Sequence, residues 1–436
     1  MKQRGHSGSG VNSRADERVQ SRVHAQANQM SSDRRAPAAS ESWQPSHSVE
    51  HGSDQREPVL DGVRGVAVLL ILFHHVIILC GLDKTNLFDK ALLALGGSSW
   101  LGVDLFFVLS GYLITGILYE AKGSSRYFTS FYGRRVLRIF PLYYGFLVLF
   151  YLSAPVFLAP DAVEAVRAKQ IWYWTYLSNV DVALNSWPDP TYLGHFWSLA
   201  IEEQFYLVWP LVVLAFGRRQ LMVVCVACFV GALALRTVLP QLMDPLAAYV
   251  LTPARMDTLA TGALVALLVR DPVGRIHLAR WAPGIACVGI GWLALIFVVH
   301  RGLGDDPAIQ TVGYSVIALT FGALIATSLD RRAVPWLRRI LSSTLLRFFG
   351  TYSYGLYVLH QPIMLWFTEQ GLQAGNFPLL LGSKLPGAMV YAVVTVGLSI
   401  VFALASWYLW ERPFLRMKRF LPYKATERPP VARQPG

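Results

Sequence analysis

Charged residues are scarce in this chain. Aspartate, glutamate, lysine and arginine make up 15% of its 436 residues, while hydrophobic residues make up 54% and the mean hydropathy is +0.40. A soluble protein of this length carries about a quarter charged residues. The low charge therefore excludes an ordinary soluble domain and indicates an all-α protein that crosses a membrane several times.

Cysteine is scarce as well. The chain has four cysteines, all in or beside apolar segments: Cys80, Cys225, Cys228 and Cys287. The CxxC spacing of Cys225 and Cys228 falls inside LMVVCVACFVGALAL, where it places two small residues one helical turn apart. The sequence therefore predicts neither a disulfide framework nor a metal site.

Several common catalytic motifs are missing. The chain contains no HExxH, no GxSxG and no Walker-type phosphate loop. Metalloproteases of the first type, hydrolases with a nucleophile elbow and P-loop nucleotide hydrolases are therefore not supported.

Hydropathy divides the chain into a membrane domain between two polar tails. Residues 1–56 have no apolar run long enough for a signal peptide and are predicted to be a disordered cytoplasmic tail. Residues 57–420 form the predicted transmembrane domain, and residues 421–436 form a second disordered cytoplasmic tail. About ten segments could cross a hydrocarbon core of about 30 Å, around a polar central cavity. They lie near 59–81, 98–119, 139–158, 195–216, 220–238, 250–269, 281–299, 310–328, 352–369 and 387–410.

The basic residues alternate between the two sides of these segments. One side collects most of them, from the arginines at 134, 135 and 138 to those at 412, 416 and 419, whereas the opposite loops carry few. Because cytoplasmic loops are enriched in Lys and Arg, both termini are predicted to be cytoplasmic in an inner, or plasma, membrane protein. This bias explains the net charge of +12 without any nucleic-acid partner.

The first apolar segment carries ionisable residues. In LDGVRGVAVLLILFHH, residues 60–75, a helix would place His75 roughly 16 Å beyond Arg64 on the same face, with His74 about 100° away. A charged side chain at such depth costs about 2.5–3.5 kcal/mol, which usually signals an interior polar cavity. His75 is therefore a candidate catalytic residue. The alternative is that it only hydrogen-bonds a neighbouring helix.

A second candidate site lies at FYGRRVLRIFPLYY, residues 131–144, just before the third predicted span. Arg135 and Arg138 are three residues apart and so share a helical face. Paired guanidinium groups suit phosphate oxygens, and a phosphorylated cytoplasmic donor is the natural ligand. The alternative is ordinary anchoring to anionic lipid.

The third site is GHFWSLAIEEQFYLVWP, residues 194–210. Glu202 and Glu203 cannot both face lipid, so one of them should turn into the bundle, where it could orient a histidine or pair with an arginine. The alternative is a structural ion pair between helices. His195 is interpreted as an interfacial histidine at the outer surface, and His360 as a packing histidine.

Arg255 and Asp257 lie too close in sequence to face each other on a helix. Their ionic partners must therefore come from elsewhere in the chain, and Asp104 is a further buried acidic residue to be considered.

Seven segments in order resemble the membrane acyltransferase-3 family: LDGVRGVAVLLILFHH, GVDLFFVLSGYLIT, FYGRRVLRIFPLYY, FWSLAIEEQFYLVWP, ARMDTLATGALVALL, SYGLYVLHQPI and WERPFLRMK. The resemblance covers residues 57–420. It implies transfer of an acyl group, usually acetyl, from cytoplasmic acyl-CoA to a hydroxyl of a sugar-containing acceptor such as a surface polysaccharide, lipopolysaccharide or glycolipid. Acyl-CoA would be a co-substrate, with no bound cofactor and no metal.

In this resemblance Arg64 and His75 match the arginine and histidine of the family's first helix. Arg135 and Arg138 match its paired-arginine motif, and Glu202 matches its carboxylate. Glu202 could hold His75 in the useful tautomer, and Arg64 could meet the polar part of the carrier. The alternative is that Arg64 forms a local ion pair with Asp61 and Glu202 has a packing role. His75 could act as a base or carry the acyl group on its ring.

A transporter or flippase of a glycan remains the alternative, because about ten helices with buried charges would serve it equally. Internal repeats and matching Gly/Pro breaks, which common transporters show, are not evident. The sequence leaves open the acceptor, its hydroxyl, the acyl chain and the oligomeric state.

Overall fold

The computed structural model describes residues 57–84, 86–300 and 309–423. The predicted tail 1–56, and residues 424–436 of the second predicted tail, lie outside the described residues. Within the described part of the chain the secondary structure is helical and contains no strand, which confirms the all-α prediction.

The α-helices are α1 (Pro58–Leu79), α2 (Leu87–Ser98), α3 (Leu101–Ala121), α4 (Tyr127–Phe157), α5 (Pro160–Ala168), α6 (Gln170–Trp174), α7 (Ser178–Asn185), α8 (Phe196–Ala215), α9 (Arg218–Leu242), α10 (Leu246–Val250), α11 (Met256–Val269), α12 (Pro272–His300), α13 (Tyr314–Leu329), α14 (Pro335–Leu341), α15 (Thr344–Glu369), α16 (Leu385–Ser406) and α17 (Arg412–Arg416). Short 3₁₀ segments at Thr252–Arg255, Ala374–Asn376 and Met417–Phe420, and π-helical turns at Ile309–Gly313 and Trp407–Glu411, adjoin them.

Among the described residues, eight helical segments are long and apolar enough to cross a membrane. The predicted count of ten is not confirmed. Of the two remaining predicted spans, α11 has only 14 residues, while α15 is long but carries many polar residues. Large apolar side chains such as Leu152, Val288 and Val298 are 72–74% exposed on the outside of the helices, as lipid contact requires. The chain is therefore a multi-pass membrane protein.

Two glycines bring α1 close to the C-terminal half of the chain. A Cβ on Gly350 of α15 would lie 1.8 Å from the carbonyl oxygen of Asp61, and a Cβ on Gly62 would lie 1.7 Å from that of Leu341. No larger residue fits at either position, and small residues of this kind allow membrane helices to approach closely. The Gly350 contact holds α1 against α15, the two helices that carry His75 and His360, and the Gly62 contact holds α1 against the end of α14.

The buried charges are paired between helices. Arg255 bonds to Asp104 of α3, and Arg236 of α9 bonds to Asp257 at 2.7 Å; all four side chains are fully buried. The guanidinium of Arg255 also lies 4.3 Å from the ring centre of Tyr314. The prediction that Arg255 and Asp257 find partners elsewhere in the chain is confirmed, and the pairs tie α11 and its preceding 3₁₀ turn to α3 and α9.

Candidate active site

Three histidines from distant parts of the chain meet inside the bundle. The ring centres of His75 and His360 are 4.8 Å apart, and those of His360 and His195 are 5.0 Å apart, each pair in edge-to-face contact. His360 and His195 are 0% and 4% exposed, and His75 is partly exposed. We call His75, His195 and His360 the histidine cluster.

Backbone carbonyls fix which nitrogen of His75 carries the proton. Nδ1 of His75 lies 3.0 Å from the carbonyl oxygen of Ile71, one turn earlier in α1. A carbonyl oxygen only accepts hydrogen bonds, so Nδ1 is the protonated nitrogen of the neutral ring. Nε2 therefore keeps its lone pair. This is the tautomer that a general base or a nucleophile requires.

His360 has the same tautomer for the same reason. Its Nδ1 lies 2.8 Å from the carbonyl of Tyr357 and 3.0 Å from that of Leu356, so Nδ1 is the donor. Its Nε2 is left as an acceptor and faces Nδ1 of His75 at 3.4 Å. The hydrogen on His75 Nδ1 is thus held between the Ile71 carbonyl and His360.

A proline in α15 supplies the partner of His195. Pro362 has no N–H, so it cannot bond the carbonyl of Val358 four residues earlier. Nε2 of His195 lies 3.3 Å from that carbonyl oxygen. The hydroxyl of Tyr357 donates to the carbonyl of His195 at 2.7 Å, which fixes the N-terminus of α8 against α15.

His74 contacts the ring of His75 edge to face, with ring centres 5.1 Å apart, but its own hydrogen bond leads to another helix. Its Nδ1 lies 2.8 Å from the carbonyl of Gly96 in α2, whereas His75 faces α15. The two neighbours thus occupy different surroundings, which makes His74 a natural control for His75.

Arg64 lies far from the histidine cluster along α1. Its Nη1 bonds to Oδ1 of Asp61 at 2.7 Å, one turn earlier in the same helix. Eleven residues of helix separate Arg64 from His75, or roughly 16 Å. His75 itself lies one turn before the end of α1, deeper along the helix than the mid-membrane position that the sequence suggested.

The structure places Glu202 away from His75. Oε1 of Glu202 accepts a hydrogen bond from Ser110 at 2.5 Å, and Ser110 accepts one from Tyr206 at 3.0 Å. No hydrogen bond joins Glu202 to His75 among the residues that the structure describes. The expected contact between them is therefore corrected. Glu202 follows His195 by two turns of α8, about 10 Å further along the bundle.

Arg135 and Arg138 lie inside α4, not before it. The third span was predicted to begin at residue 139 because arginines lower the mean hydropathy of the residues before it. The helix itself begins at Tyr127. The guanidinium of Arg135 lies 5.0 Å from the ring centre of Tyr206. Electrostatic attraction links Arg135 to Glu202, and Arg138 to Glu411. The arginine pair thus lies in an electrostatic network with the carboxylate of α8.

The sequence did not show that His195 and His360 lie together with His75. His195 is buried within the protein, not at an outer surface, and His360 packs against the rings of His75 and His195. The only local signal was the order His360-Gln361-Pro362, since a proline within an apolar helix frees a carbonyl for another donor. Among the described residues, no group of three or more His, Cys, Asp or Glu is arranged to hold a metal ion.

The fold and the histidine cluster define a class: a multi-pass, all-helical membrane protein with a buried histidine that presents a free ring nitrogen. A family model described as an acyltransferase domain matches residues 57–404. The chain belongs to the acyltransferase-3 family, as the seven segments indicated.

Curated relatives are similar over most of this chain. It is 30% identical over 325 residues to the peptidoglycan O-acetyltransferase OatA of Listeria monocytogenes, which covers 70% of this chain and 49% of the relative. It is 30% identical over 329 residues to the putative peptidoglycan O-acetyltransferase YrhL of Bacillus subtilis, which covers 70% and 48%. It is 29% identical over 344 residues to the O-acetyltransferase OatA of Staphylococcus aureus, which covers 74% and 53%. The chain thus spans about half the length of these relatives. No solved structure gives a significant match.

Proposed function

We propose that this protein is a membrane O-acetyltransferase that moves acetyl from cytoplasmic acetyl-CoA to a hydroxyl of a cell-surface glycan. Membership of the acyltransferase-3 family supports this assignment, as do the names of the three relatives described above, all of which are O-acetyltransferases or putative O-acetyltransferases. Those names make a peptidoglycan sugar the first acceptor to test. The observation that carries the proposal is the imidazole of His75, whose Nδ1 is bound to a carbonyl so that Nε2 is the basic nitrogen.

His75 would act on the acceptor hydroxyl. A sugar hydroxyl is a poor nucleophile until a base takes its proton, and imidazole titrates near neutral pH. Nε2 removes the proton while the hydroxyl oxygen bonds to the thioester carbonyl carbon. The carbon–sulfur bond then breaks, and the thiolate of coenzyme A recovers the proton. In the alternative, Nε2 itself takes the acetyl group and passes it to the hydroxyl.

The donor would enter from the side of Arg135 and Arg138, which we place at the cytoplasmic end of α4. Their guanidinium groups suit the phosphates of coenzyme A. Arg64, in the first part of α1, would meet the polar part of the carrier. The acetyl group would then reach His75, roughly 25 Å along α1 from Pro58, while the acceptor approaches from the outer side. In this arrangement the protein lies in the inner, or plasma, membrane with both termini in the cytoplasm.

The decisive experiment is transfer of label from radioactive acetyl-CoA by the purified protein. We expect label in a soluble peptidoglycan disaccharide, with free coenzyme A released in equal amount. A glycan transporter would release no coenzyme A. Absence of both transfer and release, with a folded protein and a panel of glycans, would refute the proposed function.

Replacing both Arg135 and Arg138 by lysine is expected to raise the KM for acetyl-CoA about tenfold. Lysine keeps the charge, and so the membrane topology, but loses the bidentate geometry, and a net loss of about 1.4 kcal/mol corresponds to a factor of ten. Steady-state kinetics at saturating acceptor measures the change. The matched control replaces Arg218 and Arg219 by lysine at the start of α9, where Arg218 pairs with Asp271 at 2.9 Å. Equal KM values for the two double variants would show that Arg135 and Arg138 do not bind the donor and only anchor the helix to lipid.

Because Glu202 interacts electrostatically with Arg135, an arginine of the proposed donor site, we propose that it acts on the donor through this arginine. Glu202→Gln keeps an acceptor for Ser110 but removes a negative charge beside a phosphate site. Removing that repulsion should lower the KM for acetyl-CoA several-fold and change kcat less than about threefold. The same kinetic assay measures both constants. A large fall in kcat at unchanged KM would instead show that Glu202 takes part in the chemical step.

A further inference from the structure

Two buried acceptor atoms near His75 have no hydrogen-bond partner among the residues that the structure describes. They are Nδ1 of His195 and Oε1 of Gln361, and each of these residues is only 4% exposed. An unsatisfied polar atom in such a place is costly to the folded protein, so it calls for an explanation.

The orientation of both groups is set by their other ends. Nε2 of Gln361 donates to the carbonyl of Thr191 at 2.5 Å, so its oxygen must be the free end. Nε2 of His195 faces the Val358 carbonyl and is therefore its N–H, which leaves Nδ1 as a lone pair. Neither group can turn to become a donor without losing its carbonyl partner.

The two atoms belong to one place in the protein. The side chain of Gln361 lies within reach of the rings of both His75 and His195, and both of these rings contact the ring of His360. Together with Nε2 of His75 these are three acceptor atoms, and no described residue donates a hydrogen bond to either of the two buried ones. An acyl thioester offers no hydrogen-bond donor at its acyl end, whereas a sugar offers hydroxyl donors on adjacent carbons.

We propose that His195 and Gln361 form the subsite that holds the hydroxyl-bearing ring of the acceptor sugar. One hydroxyl donates to His75, which activates it, and a neighbouring hydroxyl donates to Nδ1 of His195 or Oε1 of Gln361. This inference rests on the proposed acetyl transfer. It identifies the residues that would favour an acceptor with several hydroxyls over water. A group that binds only one hydroxyl could not distinguish a sugar from a simple alcohol.

Two substitutions test the subsite. Gln361→Met keeps the length of the side chain and removes the free oxygen. His195→Gln keeps an N–H for the Val358 carbonyl, because the amide nitrogen of glutamine reaches as far as Nε2 of histidine, but it has no atom at the position of Nδ1. Gln204→Met is the matched control. Its amide bonds the carbonyl of Tyr176 and the side chain of Asn179, both at 2.9 Å, elsewhere on α8.

The measurement is acetylation of a soluble peptidoglycan disaccharide and, in parallel, hydrolysis of acetyl-CoA by water. We expect each subsite variant to raise the acceptor KM about tenfold, as the loss of one substrate hydrogen bond does. The KM for acetyl-CoA should stay within twofold, and a larger share of acetyl should go to water. The control should keep the acceptor KM within twofold of wild type.

The outcomes separate this proposal from the one on which it rests. If wild type acetylates the disaccharide and both variants keep its acceptor KM, the two atoms hold only water and the subsite is refuted, while the transferase stands. A fall of kcat at unchanged acceptor KM also refutes the subsite, because it makes both residues supports of His75. If wild type transfers no label, both proposals fail. Thermal unfolding in detergent identifies a variant that has not folded, and the other variant then decides.

Discussion

His75→Ala is expected to abolish acetyl transfer while the protein stays folded and inserted. The substitution removes the basic Nε2, and a positioned general base contributes about a hundredfold to ten-thousandfold to such reactions. The fold should tolerate the change because the side chain is partly exposed and its carbonyl partner, Ile71, is in its own helix. Radiolabel transfer to the disaccharide, with thermal unfolding alongside, measures both effects.

His74→Ala is the matched control for that experiment. It removes the same ring one residue away, but His74 bonds to the carbonyl of Gly96 in α2 and contacts only the edge of the His75 ring. We expect activity within about threefold of wild type. Equal losses in the two variants would show that His75 has no special part in the reaction.

The role of His75 as base or as acyl carrier can be separated by acid quenching with labelled acetyl-CoA and no acceptor. A carrier leaves label on the protein in wild type and none in His75→Ala. A base leaves no label on either protein.

Asp257→Ala is expected to destabilise the protein by about 3–5 kcal/mol. The substitution leaves Arg236 buried without its carboxylate, and breaking a buried ion pair from one side costs about that much. Both side chains are fully buried, and Ser315 also donates to Asp257 at 2.8 Å. Thermal and denaturant unfolding in detergent measure the loss.

Two further variants test whether this loss of stability comes from the unpaired charge of Arg236. Asp271→Asn breaks the Arg218–Asp271 pair, whose side chains are each 25% exposed, and should cost less than about 1 kcal/mol. Arg236→Met combined with Asp257→Leu removes both charges and should recover most of the stability, because apolar residues of similar volume often replace such a pair. An Asp257→Ala variant as stable as Asp271→Asn would show that Arg236 reaches water or another partner.

The candidate site was predictable in part. Apolar length placed His75 in a helix and the three-residue spacing placed Arg135 and Arg138 on one face, because both depend only on local helical geometry. Glu202 was assigned to His75 because sequence shows that a buried carboxylate needs a partner but not which one. The structure gives that place to Ser110, 92 residues away in the chain.

The sequence by itself determined the class of this protein. A low content of charge, long apolar segments and alternating basic loops specify a helical membrane protein, since lipid leaves backbone polar groups only internal partners. It also determined that Arg255 and Asp257 must pair elsewhere, since neighbouring residues on a helix do not face each other.

Only the tertiary structure decided what surrounds His75. His360 is 285 residues away in the chain, and it reaches His75 because Gly350 lets α1 and α15 approach closely. His195 joins them through a carbonyl that Pro362 leaves free. Such contacts depend on which helix faces come together, and hydropathy does not determine those pairings because lipid and helix interior are similarly apolar.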